Sequence, residues 1–318
     1  MRRYIVRRLA SLIVVLWGVS VLSFALGSLA PGDPARILME RTLGHPATDE
    51  EVVQKRHELG LDRPVVVQYV SWAGGALRGD LGYSWSDRGQ PVSHVLLERL
   101  PRTVALAVSA LIISVLVAVP LGVIAARRQN SLVDHSSRVA ALVGASIPSF
   151  FLGYLLMFVF GVWLQLLPIF GFASPQSIVL PAVTLALGAS AILTRLTRSS
   201  LLEVLGEDYI RVGEAMGLRS RTVLFRHALR NALIPILTVI GLSFGHLLAG
   251  AVIVESIFNW PGLGKLALDA IHARDYPLIQ GFVLLTGTVF VLMNLVTDLA
   301  YRWADPRVRL QGKGEIHG

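Results

Sequence analysis

The long, unbroken apolar stretches of this chain limit its fold more than any other feature. They lie at about 9–29, 103–126, 139–167, 178–196, 232–254 and 278–301. A helix of roughly 20 residues crosses the hydrocarbon core of a bilayer. Inside lipid every backbone polar group must be paired within the protein, so only helices and closed barrels span. The runs are continuous rather than alternating, which rejects a barrel. Composition agrees, with 53% hydrophobic and 16% charged residues, against about a quarter charged in soluble domains. The expected class is an all-α polytopic membrane protein with about six transmembrane helices.

The net charge of +8 raises the question of nucleic acid. The basic residues cluster beside the apolar runs, as membrane orientation requires, so no nucleic-acid partner is expected. There is no cysteine, hence no disulfide and no thiolate metal site. The opening MRRYIVRRLASLIVVLW resembles a signal peptide, but its apolar core exceeds the usual ~7–15 residues. A retained first helix is expected.

Four regions follow: an N-terminal transmembrane helix at 1–30, an outer segment at 31–102, a core of five transmembrane helices at 103–304, and a tail at 305–318. Arg2, Arg3, Arg7 and Arg8 place the N-terminus in the cytoplasm. Arg127, Arg128 and Arg138 mark a second inner loop, while 168–177 has neither lysine nor arginine and is expected outside. Both termini are therefore expected inside. In the outer segment, Thr48 to Glu51 reads as a helix cap. Residues 65–77 read as a short helix with Tyr69 and Trp72 suited to the membrane interface. Pro101 is expected just before the second span, and Pro148 is expected to kink the third.

Residues 195–230 interrupt the apolar pattern with a basic, helical-looking stretch. Leu205, Tyr209, Val212 and Met216 recur at helical spacing as one apolar stripe. Glu207 and Asp208 suit a helix start. Gly217 suits a left-handed helix end, with Leu218 as its hydrophobic contact. Ser220 suits the cap of a second helix leading into the fifth span. The pattern alone leaves two readings open: a hairpin lying on lipid, or a docking element for another protein.

Several motifs follow one another along the chain in a distinctive order. They are Pro31-Gly32-Asp33-Pro34, Gly79-Asp80-Leu81-Gly82, Glu98-Arg99-Leu100-Pro101 and Ser146-Ile147-Pro148-Ser149-Phe150. Then come Asp208-Tyr209-Ile210-Arg211-Val212-Gly213-Glu214-Ala215-Met216-Gly217-Leu218, Arg226 to Pro235, Val254 to Gly264, Arg274-Asp275-Tyr276-Pro277 and Asp305-Pro306-Arg307. Together they resemble the permeases of ABC importers, and among them the dipeptide/oligopeptide/nickel (DppB/OppB-like) subfamily. Gly213 stands where alanine is usual and Met216 where lysine is common.

The resemblance implies a type I ABC importer permease fold in a bacterial inner membrane. It implies a second homologous permease, two ATP-binding subunits and an extracytoplasmic substrate-binding protein as partners. ATP and Mg would be used by those ATPases, with no cofactor or metal bound by this chain. It implies ATPase docking through Asp208, Tyr209, Arg211, Val212, Glu214, Ala215, Met216, Gly217 and Leu218. The cargo would be peptides or a related small solute.

Pathway or gating candidates are Pro148, His246, Asn294 and Asp298, since polar or helix-breaking residues in spans are candidates for function, and Glu255, which is expected to open a second outer segment at 255–277. An ion-driven secondary transporter is the alternative, but it would show more carboxylates near the midplane. Gly262-Leu263-Gly264-Lys265-Leu266 is not a P-loop. Asn259 stands where the first glycine is needed, and Leu266 where a serine or threonine is needed. No catalytic constellation is expected.

Overall fold

The computed structural model describes residues 2–28, 32–87 and 89–304, with side chains over 10–28, 32–87, 89–233 and 235–297. In chain order the helices are α1 (Arg2–Ser28), α2 (Pro34–Leu43), α3 (Asp49–Glu58), α4 (Val65–Ala76), α5 (Val92–Arg127), α6 (Leu132–Ser146) and α7 (Ser149–Leu156). They continue as α8 (Val179–Leu205), α9 (Asp208–Ala215), a single turn α10 (Ser220–Thr222), α11 (Leu229–Ile257), α12 (Leu263–His272) and α13 (Tyr276–Ala304). π-helical turns extend α7 over Met157–Trp163 and join α10 to α11 over Val223–Ala228. No strand occurs among the described residues.

Five stretches are long and apolar enough to cross a membrane: Ala10–Ser28, Val92–Arg127, Pro175–Leu205, Pro235–Ile257 and Tyr276–Thr297. The third expected span is broken in two. Its two arms, Leu132–Ser146 and Ser149–Trp163, meet at 99°. Proline disfavours helix at the residue before it. Ile147 and Pro148 are accordingly both extended (ψ 121° and 136°), so the chain turns a corner where only a kink is expected.

Helix α5 also departs from expectation. It starts at Val92, and Pro101 lies inside it. The buried positions Val92, Val95, Leu96, Thr103, Leu106, Ala107 and Ala110 keep helical spacing across the proline. That continuous face explains why the helix does not stop there.

The chain forms two compact units, Met1–Arg102 with Gly262–Leu292, and Thr103–Pro261 with Met293–Gly318. In the first, α1 and α13 run antiparallel. Ser23 Oγ donates to Gln280 O at 2.6 Å, and Val19 lies against Gly287. A core of Val92, Val95, Leu96, Leu263, Ala270 and Leu278 ties the start of α5 to α12 and α13. Asp33 caps α2 by accepting from Ala35 N, and Pro34 stands at the helix's first position. Thr48 and Glu51 form the expected capping box on α3. The hydrogen bonds from Thr48 hold the Glu51 carboxyl below its ordinary pKa.

Asp275 is the polar anchor of this unit. It is fully buried, and its Oδ2 accepts from Ser84 Oγ, Ser86 N and Ser86 Oγ at 2.6–2.8 Å. Its Oδ1 accepts from Leu278 N in the first turn of α13. Asp275→Ala removes the acceptor for all four donors. An unsatisfied buried donor costs about 1–3 kcal/mol, so limited proteolysis is expected to cut the Ser84–Ser86 loop faster than in wild type.

In the second unit α8 is central, with α6, α7 and α11 packed on it. The core holds Leu106, Ala110, Leu180, Leu185, Phe244, Leu247, Phe258 and Trp260. Close approach is set by small residues. Gly122 of α5 sits against Thr197 of α8, where a Cβ has no room.

Candidate functional site

Helix α8 carries the chain past its apolar stretch to Leu205, where Gly206 and Glu207 break it. Glu207 is extended (φ −70°, ψ 146°) and α9 begins at Asp208. Its end is a two-bond glycine cap. Leu218 N donates to Gly213 O at 3.2 Å and Gly217 N to Glu214 O at 2.9 Å. Gly217 has φ +82°, a left-handed conformation that side chains disfavour. The left-handed glycine turn is thus as the sequence predicts, and Leu218 joins it through its backbone N–H.

The stripe itself is shorter than expected. Leu205 belongs to α8 and is half-buried, so the four-residue stripe is interrupted at Gly206. Tyr209, Val212 and Met216 are exposed at 46%, 54% and 73%. The buried face of α9 is Ile210 and Gly213. Ile210 packs with Val123, Ala126, Leu201, Val223, Leu224, Ala228 and Ala232. Gly213 has a local reason for its size: a Cβ there would come within 3.3 Å of Leu218 Cδ1. Helix α9 is therefore apolar on two sides, one used by its own chain and one open.

Polar contacts hold it further. Asn231 Nδ2 donates to Tyr209 Oη at 2.8 Å, linking α9 to α11. Arg211 and Asp208 pair at 3.6 Å on the surface, a contact that contributes little. Glu214, Ala215 and Leu218 are also exposed. The residue capping α10 is Arg219 rather than Ser220, and no side chain bonds the helix start. From α10 onward the helical path runs through the π turn into α11.

Next to this region sits a buried ion pair that sequence reasoning missed. Asp134 on α6 is fully buried. Arg198 Nε and Nη2 on α8 donate to its two carboxylate oxygens at 2.6 and 2.8 Å. Asn130 N donates to Asp134 Oδ2 at 2.9 Å, and Arg138 lies 3.7 Å away. Such a two-pronged pair fixes orientation as well as position. The partners are 64 positions apart, and nothing local in the sequence joins them.

The family model for the inner membrane component of binding-protein-dependent transport systems matches residues 118–310, and its N-terminal companion matches 1–107. The chain belongs to this family. As a permease of the family it is a membrane-spanning subunit of an ABC importer. It is 44% identical to a probable peptide ABC transporter permease of Sinorhizobium fredii, over 96% of this chain and 99% of that one. It is 41% identical to the glutathione transport system permease protein GsiC of Escherichia coli, over 97% and 99%. It is 38% identical to the oligopeptide transport system permease protein AppB of Bacillus subtilis, again over 97% and 99%. A solved inward-facing structure of the MetNI methionine ABC transporter matches with TM-score 0.56 at 18% identity, over 66% of this chain and 96% of that one. That likeness bears on the fold, which is the type I importer permease fold.

The pathway candidates of the permease lie at the start of α7 and on α11 and α13. Pro148 caps α7 and is exposed. His246 is exposed on α11, its Nδ1 3.1 Å from Leu242 O. Asn294 is half-buried on α13, and the side chain of Asp298 lies outside the described residues. Glu255 is different. It lies within α11 rather than in an outer loop, is fully buried, and accepts from Thr103 Oγ1 at 2.6 Å. Lys265, from the P-loop-like string, sits on α12 and pairs with Asp269.

Proposed function

We propose that this permease carries peptides, or a related small solute, into the cytoplasm by alternating access driven by two separate ATPase subunits. The open apolar face of α9, Tyr209, Val212 and Met216, carries the reading. A short helix locked by a glycine cap and by its own buried face moves as a rigid body, which a coupling element requires. Asp208, Arg211, Glu214, Ala215, Gly217 and Leu218 complete the docking surface. The peptide and glutathione permeases named above support the cargo class.

A second, homologous permease completes the translocation path, and an extracytoplasmic binding protein delivers the cargo. Both termini lie in the cytoplasm and the protein sits in a bacterial inner membrane, in keeping with the basic loops at 127–138 and 195–230. ATP and Mg act on the partner ATPases, and this chain binds no cofactor. Pro148, His246, Glu255, Asn294 and Asp298 are the residues to test for the path.

The rival is transport driven by an ion gradient. In liposomes, the permease alone with a proton or sodium gradient is expected to take up no peptide. Assembled with its partner permease, ATPases and binding protein, uptake is expected to depend on ATP. Gradient-driven uptake by the lone chain would overturn the reading.

A further inference from the structure

Helix α4 differs from the two short helices before it. The sequence of α3 is DEEVVQKRHE, whereas α4, VVVQYVSWAGGA, holds no charged residue. Arginines stand just outside both ends, Arg63 and Arg78. Its mid-helix amide is turned back on the preceding loop: Gln68 Nε2 donates to Leu61 O and Arg63 O. No residue of α4 is fully buried, and Val65, Val66, Val70 and the following Leu77 are exposed at 62%, 72%, 62% and 90%. In water that face would be an unexplained apolar patch.

The register against α1 locates it. Tyr69 Oη and Ser20 Oγ are 2.8 Å apart. Phe24 packs against both Tyr69 and Trp72, with ring centres 5.6 and 5.8 Å away. The described part of α1 runs to Ser28. At ~1.5 Å per residue, Phe24 lies about 6 Å and Ser20 about 12 Å below that end. These positions are inside the apolar span Ala10–Ser28, whose Trp17, Leu22 and Leu26 are exposed on this chain.

A second register agrees. An apolar crevice of about 210 Å³ is lined by Ala76 and Gly79 together with Leu284, Leu285 and Thr288 of α13, well inside the span Tyr276–Thr297. The middle of α4 and the turn that follows it are thus placed beside side chains at membrane depth. Twelve residues are too few to cross a ~30 Å core, so α4 cannot be a span.

We infer that α4 is a membrane-embedded interfacial helix. Tyr69 and Trp72 are clasped by α1, Val65, Val66, Val70 and Leu77 face acyl chains, and Arg63 and Arg78 reach the headgroups of one leaflet. The exposed face of α4 continues that of α1, and long cationic side chains at its ends are placed to snorkel. The partner is the bilayer, on the side where α1 ends. The stretch 31–102 is then not wholly an aqueous segment: α2 and α3 stand in water while α4 anchors them to the membrane.

The test uses nitroxide labels on Val66→Cys and Val70→Cys, with Val53→Cys on α3 as the aqueous control. This chain has no cysteine of its own, so each label is unique within it. Labelled chains are assembled into the full transporter in phosphatidylcholine–phosphatidylglycerol vesicles. Collision with oxygen and with a soluble nickel chelate is then measured. For a face immersed ~5–10 Å, the oxygen-to-nickel ratio at 66 and 70 is expected to exceed that at 53 at least about threefold. A ratio equal to that at 53 would place α4 in water and overturn the inference. Low access to both reagents would also overturn it, by showing that a protein surface covers the helix. Leu77→Cys replaces either variant if it does not assemble.

Discussion

A transporter carrying Val212→Asp is expected to insert and fold normally, to lose co-purification with the ATPases, and to lose ATP-driven uptake. Val212 is 54% exposed within this chain, so the substitution leaves the chain's own packing intact. At a docked interface the same side chain is buried. Burying a valine contributes about 1.5–3 kcal/mol, and a carboxylate in its place is buried without a partner, which costs more. Each ~1.4 kcal/mol is tenfold in affinity. Binding is therefore expected to weaken by about 100-fold or more.

Ile210→Asp is the contrast. Ile210 is buried against α8, the π turn and α11, so that variant is expected to fail at folding, seen as loss of membrane-integrated protein. Gly217→Pro strikes the cap itself. Proline fixes φ near −65° where Gly217 has +82°, and it lacks the N–H that bonds Glu214 O. Two variants that insert but do not couple, beside one that does not fold, would separate the open face of α9 from its closed one. Normal uptake and ATPase binding in both Val212→Asp and Gly217→Pro would remove α9 from the coupling role.

The sequence pattern made the spans, the Thr48 cap and the Gly217 turn legible, because each depends on residues within one or two turns of each other. It was silent, or in one case misleading, where a decision belongs to tertiary contacts. Tyr209, Val212 and Met216 are apolar and helically spaced, but spacing does not say which apolar face a helix keeps for itself. Ile210 is a single apolar residue opposite that stripe, and Gly213 has no side chain at all, so the buried face gave a weaker signal than the open one. Pro101 looked like a helix start because proline tolerates that position. The buried face from Val92 to Ala110 shows that the packing on both sides of it outweighs one lost hydrogen bond. The Asp275 anchor was readable in principle, since an aspartate two residues before a proline suits a helix start. Its bonds to Ser84 and Ser86 were not, because they join distant segments.

The Asp134–Arg198 pair is the other distant contact, and its removal carries the second large expected effect. Arg198→Met leaves a fully buried carboxylate with Asn130 N and a half-exposed Arg138 3.7 Å away. Breaking one side of a buried pair typically costs about 3–5 kcal/mol, because the other charge stays behind without water. The purified transporter is expected to melt at a clearly lower temperature, and Asp134→Leu alone is expected to do the same by stranding Arg198.

The double variant Asp134→Leu with Arg198→Met should behave differently. Apolar replacement of a whole buried pair is often neutral or even stabilising, by about 1–4 kcal/mol. Stability is therefore expected to return toward wild type. Position is a separate matter. Arg198 lies on α8 less than two turns before Leu205, where the chain breaks into α9. The pair fixes α6 to that segment with two directed bonds, whereas leucine and methionine give contact without direction. The double variant is accordingly expected to recover melting temperature but not the full ratio of uptake to ATP hydrolysed. A double variant that restores both would reduce the pair to a means of folding. One that restores stability alone would assign Asp134 and Arg198 to holding the base of the coupling helix in place.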